Sequence, residues 1–272
     1  MKETRKQIFA RYGIEYDTKK DRILAPSGMW IKPFLKPGNV KTGKRVYTYS
    51  ILPTTRTYKT LFGDVKGTCP CTCHDCYATL GCYVFPSVIN CLAINTILIR
   101  EYMDFVERAI LAQLETLKSC DEIRIFAAGD FWIFDDIAKN AEFVEMWKRI
   151  IKAFPNKFFW TYTKVQAFEN AFDELPNANI VKSVINGIGF NFGTVEYLLN
   201  AYYKLKEAGQ DVYICKCGFD ENQHCHNCHS CSKHKFVLFL VHSNGYVATE
   251  SDRYTELYNI VMSQENENKR AA

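Results

Sequence analysis

A chain of 272 residues, 47% of them hydrophobic, can bury a substantial core, and a single α/β domain of this length is ordinary. No stretch reaches the roughly 18 uncharged apolar residues of a membrane span, and MKETRKQIFARYG lacks the apolar run and cleavage site of a secretory leader. No membrane partner is therefore expected. The chain reads as unexported and cytoplasmic, with its twelve cysteines kept reduced and open to metal.

Residues 1–66 hold fifteen Lys or Arg against five Asp or Glu, and the remainder is net negative. Tyr47, Tyr49 and Tyr58 interleave with Lys44, Arg45, Arg56 and Lys59, the mixture that holds single-stranded nucleic acid by phosphate contact and stacking. A solvated strand face with half-buried tyrosines gives the same pattern.

Residues 19–44, rich in Lys, Gly and Pro, show no helical period and read as irregular lead-in. RVYTYSIL (45–52) has strand composition and stops at Pro53, leaving 54–68 as a loop that delivers the first cysteines. Pro86-Ser87 opens an apolar-periodic stretch to about Leu117, one long helix or two joined. EIRIFAA (122–128) is a buried strand ended by Gly129-Asp130, and Asp135 is a candidate cap for a helix running to about Phe154. KFFWTYT (157–163) and NIVKSVI (179–185) are further strands, and the helix from about Thr194 ends at Gly209. DVYIC (211–215) leads into more cysteines, and KFVLFLVH with NGYVATE predicts a hairpin before the polar tail QENENKRAA.

Strands alternating with helices predict an α/β fold with a mainly parallel sheet, open or curled into a partial barrel. Three regions follow: a basic lead-in and first strand at 1–66 within the same domain, an α/β core at 67–210 that bears the first cysteines, and a cysteine-rich metal-binding region at 211–272.

Eleven of the twelve cysteines fall into two groups, leaving Cys120 outside. Cys91, at the far end of the first group, and Cys120 read as core thiols. In TCPCTCHDCYATLGCY, Cys69, Cys73 and Cys76 stand as C-x3-C-x2-C. Three thiolates from one loop can hold an iron-sulfur cubane and leave one iron open. Cys71 is a candidate fourth ligand that would close it, and a zinc knot using Cys82 or His74 is the redox-inert alternative. The second group runs Cys225, Cys228, Cys231 as C-x2-C-x2-C, with Cys215 or Cys217 to complete four thiolates. That set suits a saturated 4Fe-4S cluster, while the interspersed His224, His226, His229 and His234 keep zinc as the alternative there.

The first cysteine spacing, on a loop between a strand and a long helix, resembles that of the radical-SAM superfamily. Further motifs, GNVKTG (38–43), YSILP (49–53), CHDCYA (73–78), RIFAAGDF (124–131) and FFWTYTKV (158–165), resemble in order the phage "gene product 88" domain family, a radical-SAM-like group. The resemblance implies a cluster-bearing partial (β/α) barrel of radical-SAM type, S-adenosylmethionine as cofactor, an electron donor as partner and an enzyme of unassigned substrate. It also implies that Gly129-Asp130 occupies the strand-end turn that grips the cofactor's amino group, with one Gly and an Asp where that superfamily has two Gly and a Glu. The aromatic beside the last cysteine is here Tyr77, after it, while Asp75 precedes it. Lys164, at the same strand-end edge, is a candidate partner for a carboxylate or phosphate. The other reading is a non-catalytic nucleic-acid-binding metalloprotein using the basic residues 1–66.

Overall fold

In the computed structural model, which describes residues 3–38, 42–71, 76–185, 188–189, 191–192, 194–216, 225–240 and 252–270, a five-stranded sheet organises the chain. Helix α1 (Arg5–Arg11) starts at a capping box in which Thr4 and Gln7 bond reciprocally. The short strands β1 (Tyr16–Asp17), β2 (Arg22–Leu24) and β3 (Trp30–Ile31) then form an antiparallel sheet. β4 (Lys36–Pro37) pairs antiparallel with β5 (Val46–Tyr49). The expected irregular lead-in is thus built of two-residue and three-residue strands, too short for a periodic signal. The expected loop at 54–68 likewise contains a hairpin, β6 (Thr57–Thr60) with β7 (Gly63–Lys66).

The apolar stretch from Pro86 is two joined helices, α2 (Pro86–Glu101) and α3 (Met103–Thr116), broken at Tyr102 where φ is −141° and ψ 52°. β8 (Glu122–Ile125), α4 (Ile137–Ala153), β9 (Phe158–Thr163) and β10 (Ala178–Lys182) follow. The cap of α4 is Asp136, whose carboxylate accepts the Ala138 N–H at 2.8 Å, and not Asp135. β5, β8, β9 and β10 run parallel, and the sheet order is β10-β9-β8-β5-β4.

The expectation of a mainly parallel, partly barrelled sheet is overturned. The central sheet is mixed, the other strands fall into small sheets, and among the described residues no barrel closes. The reason lies at β4: it turns back antiparallel onto β5, and Pro37, without an N–H, suits an edge and not a further ladder.

Beyond β10 lie β11 (Val184–Ile185), β12 (Ile188–Gly189) and β13 (Asn191–Phe192). Helix α5 (Val195–Glu207) is capped by Thr194 and ends at Gly209, whose φ of +70° glycine tolerates. β14 (Val212–Ile214) and β15 (Phe236–Leu240) pair in parallel, with β13 on the other side of β15. Two helical turns, α6 (Cys225–Cys228) and α7 (Ser230–Lys233), lie between them in sequence, and α8 (Asp252–Arg270) ends the described chain. Residues 264–270 of the polar tail thus belong to a helix that the sequence reading does not include. The NGYVATE half of the expected hairpin lies outside the described residues. No helix among them is long and apolar enough to cross a membrane.

Strand alternation assigns the faces. Ile123, Ile125, Phe159 and Ile180 enter the main core with Leu98, Ile110, Trp147 and Ile150 of α2, α3 and α4. A second core joins Leu198, Ile214, Phe236, Leu238, Leu257 and Val261 from α5, β14, β15 and α8. Arg124, Trp160, Tyr162 and Val181 have the opposite parity to the main-core set, and Tyr213, Val237 and Phe239 the opposite parity to the second-core set. Tyr162, Val181, Tyr213, Val237 and Phe239 meet in a third cluster between the two sheets.

Asn140 fixes the loop after β8. Its side chain is fully buried, accepts the Ile133 and Phe134 N–H groups and donates to the Phe134 carbonyl, all at 2.9 Å. Asn140→Ala is expected to cost about 3 kcal/mol, because three buried or half-buried backbone groups lose their partner. A denaturant midpoint unchanged from the parent chain would contradict this.

Candidate metal centres

Two cysteine-bearing regions occupy different places on the central sheet. The first lies at the carboxyl edge of the parallel strands. After β5 the backbone of Leu52 and Thr54 holds the incoming loop, with Thr68 N–H donating to Leu52 O at 3.0 Å and Cys69 N–H to Thr54 O at 3.1 Å. The Thr54 N–H in turn donates to Cys69 Sγ at 3.2 Å. Cys69 and Cys76 are half-buried, and Cys71, Cys82 and Cys91 are exposed, so Cys91 is not the core thiol its surroundings in sequence predict. Cys73, Asp75 and His74 lie outside the described residues. Tyr77 begins a single helical turn, Tyr77–Thr79.

Gly129-Asp130 meets this loop. The Thr68 hydroxyl donates to Leu52 O at 2.7 Å and receives the Asp130 N–H at 3.3 Å. Gly129 has φ +95°, and a Cβ there would stand 2.3 Å from Ile51 Cγ1 and 2.9 Å from Thr68 Oγ1. Glycine is required both by the backbone conformation and by the approach of the loop.

The Asp130 carboxylate is buried and accepts from Thr163 Oγ1 at 2.7 Å, Lys164 N–H at 2.8 Å and Phe131 N–H at 2.7 Å. Burial pushes its pKa up, and these bonds pull the other way. Its visible work is to tie the end of β9 to the end of β8. Lys164 is half-buried and adds a favourable charge beside this carboxylate. The sheet's carboxyl edge therefore gathers Cys69, Gly129, Asp130 and Lys164, the place where parallel α/β sheets collect ligands.

The second region lies on a face of the sheet. Cys215, Cys225, Cys228 and Cys231 line one small cavity, together with Tyr213, Val237, Glu122 and Trp160. Cys215 follows β14 and its N–H donates to Leu238 O at 2.8 Å. The α7 turn is pinned to β10 by Asn179, whose amide donates to Cys231 O and His234 O, both at 2.9 Å. The Tyr162 hydroxyl and Cys231 Sγ are hydrogen-bonded at 2.8 Å, and Cys228 Sγ lies 3.0 Å from the Ser230 hydroxyl. Burial pushes the Cys231 thiol up to about 12, and holds Tyr162 well above its ordinary value. The Tyr162 hydroxyl and the charge of Arg124 pull the Cys231 pKa the other way.

The two described histidines of the segment are engaged elsewhere. His229 pairs with Glu122, whose other oxygen accepts the Trp160 indole N–H at 3.1 Å. His234 bonds Asp211 at 2.7 Å and stacks on Tyr213 with centroids 5.1 Å apart. Cys217, His224 and the side chain of His226 lie outside the described residues. Among the described residues, no three His, Cys, Asp or Glu side chains are gathered in ion-holding geometry. The fit to a metal at this site rests on the donor set, four thiols lining one cavity.

Sequence reading missed Glu122, Trp160, Tyr162 and Asn179. The signal was present in FFWTYT, where aromatic residues on both parities of one strand require that both faces be covered. The interleaved tyrosines of the basic region are a second difference. Tyr49 and Tyr58 are buried, with the Arg56 guanidinium 4.4 Å from the Tyr58 ring centroid, so their rings do not stand ready to stack on bases.

The sequence profile of the family described as Gene product 88 matches residues 33–234, a span that contains both cysteine groups and Gly129-Asp130. No curated protein and no solved structure matches the chain. With about three quarters of its length matched in one continuous span, the chain belongs to the Gene product 88 family.

Proposed function

We propose that this chain is an iron-sulfur protein with two cysteine centres of different design, the first resembling that of radical-SAM enzymes. Cys69, Cys73 and Cys76 would hold a 4Fe-4S cluster with an open iron at the sheet's carboxyl edge, and Cys215, Cys225, Cys228 and Cys231 a saturated one on the sheet's face. The observation that supports the reading is that all four cysteines of the second set line one cavity, although they are not drawn together to ion-holding distances.

Support for the first centre comes from cysteine spacing and from the place of Cys69 beside Gly129-Asp130, not from a barrel, since none closes among the described residues. A cluster with an open iron supplies one-electron chemistry on bound S-adenosylmethionine and requires an electron donor. The chain's own groups have simpler tasks. Thr54 and Thr68 hold the entry to the loop, and Asp130 fixes the strand ends on which a ligand would rest.

Anaerobic reconstitution with iron and sulfide, followed by iron, sulfide and zinc analysis, tests this. Cys73→Ala and Cys228→Ala are each expected to lose about four irons per chain. Only Cys73→Ala should abolish the change that S-adenosylmethionine produces in the reduced-state resonance. Zinc with no sulfide in the parent chain would refute the iron-sulfur reading and leave a zinc protein in its place.

A further inference from the structure

A half-open cleft of about 290 Å³ lies between the end of the β6–β7 hairpin, α2 and the loop after β8, lined by Lys66, Arg100, Trp132 and Asp135 among others. Its volume is at the lower end of small-molecule sites. It is separate from both cysteine sets, although Gly67 on its wall is two residues before Cys69.

Arg100 is the centre of the cleft. This half-buried guanidinium donates from Nε to Ile133 O at 2.9 Å and from Nη2 to Gly67 O at 3.4 Å, so it joins the two walls. Among the described residues its remaining donors have no hydrogen-bond partner and no carboxylate stands within ion-pair distance of it, Asp135 acting on it only from farther off. Lys66 is paired with Asp135 at 2.7 Å across the mouth. Two cations therefore face one carboxylate, leaving a net positive charge on a guanidinium that backbone bonds already hold in place.

The walls are equally fixed. Asn140 holds residues 133–134 through three hydrogen bonds. A Cβ on Gly67 would stand 2.2 Å from Pro53 O and 2.3 Å from Thr54 O, so the hairpin exit is pressed against the backbone beneath it. Trp132 contributes a half-buried indole to the same lining.

A planar ring can pack on the indole while an oxyanion takes the free edge of the guanidinium, for which Arg is suited by its fork of donors. We infer that this cleft binds a small organic anion, a planar ring carrying a phosphate or carboxylate, with Arg100 as the anion anchor and Trp132 as the ring platform. The Lys66–Asp135 pair forms the rim. The inference goes beyond the iron-sulfur reading and stands without it.

Calorimetric titration of the full chain with adenosine 5′-monophosphate, benzoate, adenosine and inorganic phosphate tests it and separates the two anion sources. At least one ring-bearing anion should bind more tightly than both adenosine and inorganic phosphate, and more weakly as salt is raised. Arg100→Gln should weaken that ligand by about tenfold or more, and Trp132→Leu should weaken it while leaving inorganic phosphate unchanged. Asp135→Asn, which frees Lys66, should tighten it. If Arg100→Gln fails to fold, Lys66→Gln and Trp132→Leu carry the test. The inference is overturned if neither ring-bearing anion binds, if neither exceeds inorganic phosphate, or if the folded variants bind as the parent chain does.

Discussion

On the proposed reading, in which the four-cysteine centre holds a metal, removing that metal is expected to unfold the segment of the second core while the helical face of the central sheet stays folded. This lobe's own core is small, with Leu198, Ile214, Leu238, Leu257 and Val261 at its heart. Its junction with the central sheet is held by the backbone bond from Lys182 N–H to Lys235 O at 2.9 Å, by the two bonds from Asn179, and by the aromatic contact of Tyr162 with Phe239. A metal that binds only the folded lobe adds its binding free energy to this junction, and structural thiolate sites supply on the order of 10 kcal/mol. Without it, Cys231 and Tyr162 are left with their mutual hydrogen bond in a half-buried seam.

Amide hydrogen exchange before and after anaerobic chelation reads this directly. Protection in β15 and α5 should fall by roughly a thousandfold, about 4 kcal/mol, while β8 and α4 keep theirs. Equal loss on both sides would mean that the lobe and sheet open as one unit. Unchanged protection after proven metal loss would remove the structural role argued for the centre.

How much of this was legible beforehand differs between elements for physical reasons. The strands at 122–125, 158–163 and 178–182 and the helices around them are written in long apolar periods, and the structure has them close to where the sequence predicts. The mixed character of the central sheet was not legible, because it comes from one pairing, β4 on β5, between a two-residue segment ending in Pro37 and a strand it does not resemble. The short strands of residues 16–31 and the 57–66 hairpin are held by tertiary packing, and periodicity has nothing to register in so few residues.

The second cysteine set was legible from spacing, since C-x2-C-x2-C places thiols within one helical turn or two. Which surface it would face was not, because that depends on Glu122, Trp160, Tyr162 and Asn179, which lie on three strands, β8, β9 and β10, distant in sequence. The Arg100 cleft left still less trace. A single arginine at the end of an apolar helix is usually a solvated terminus, and only the fold shows both its wall contacts and its missing carboxylate.

Gly129→Ala should destabilise the chain by about 3 kcal/mol, the sum of a left-handed backbone cost and an overpacking cost of roughly 1 to 3 kcal/mol each. The two causes can be separated within this protein. Gly28 has φ +80° and nothing within 4 Å of the position a Cβ would take, so Gly28→Ala reports the backbone cost alone. At Gly129 the added methyl meets Ile51 Cγ1 at 2.3 Å, and Ile51 is fully buried. Relief in the other direction pushes Thr68, whose hydroxyl joins Leu52 O to the Asp130 N–H and whose next neighbour is Cys69. The penalty should therefore appear as a lower denaturation midpoint than that of Gly28→Ala and, on the proposed iron-sulfur reading, as reduced iron in the first centre with the second centre retaining its own. Equal midpoints for the two variants would show that the loop carrying Cys69 does not press on this turn, and would separate Gly129-Asp130 from the first cysteine group.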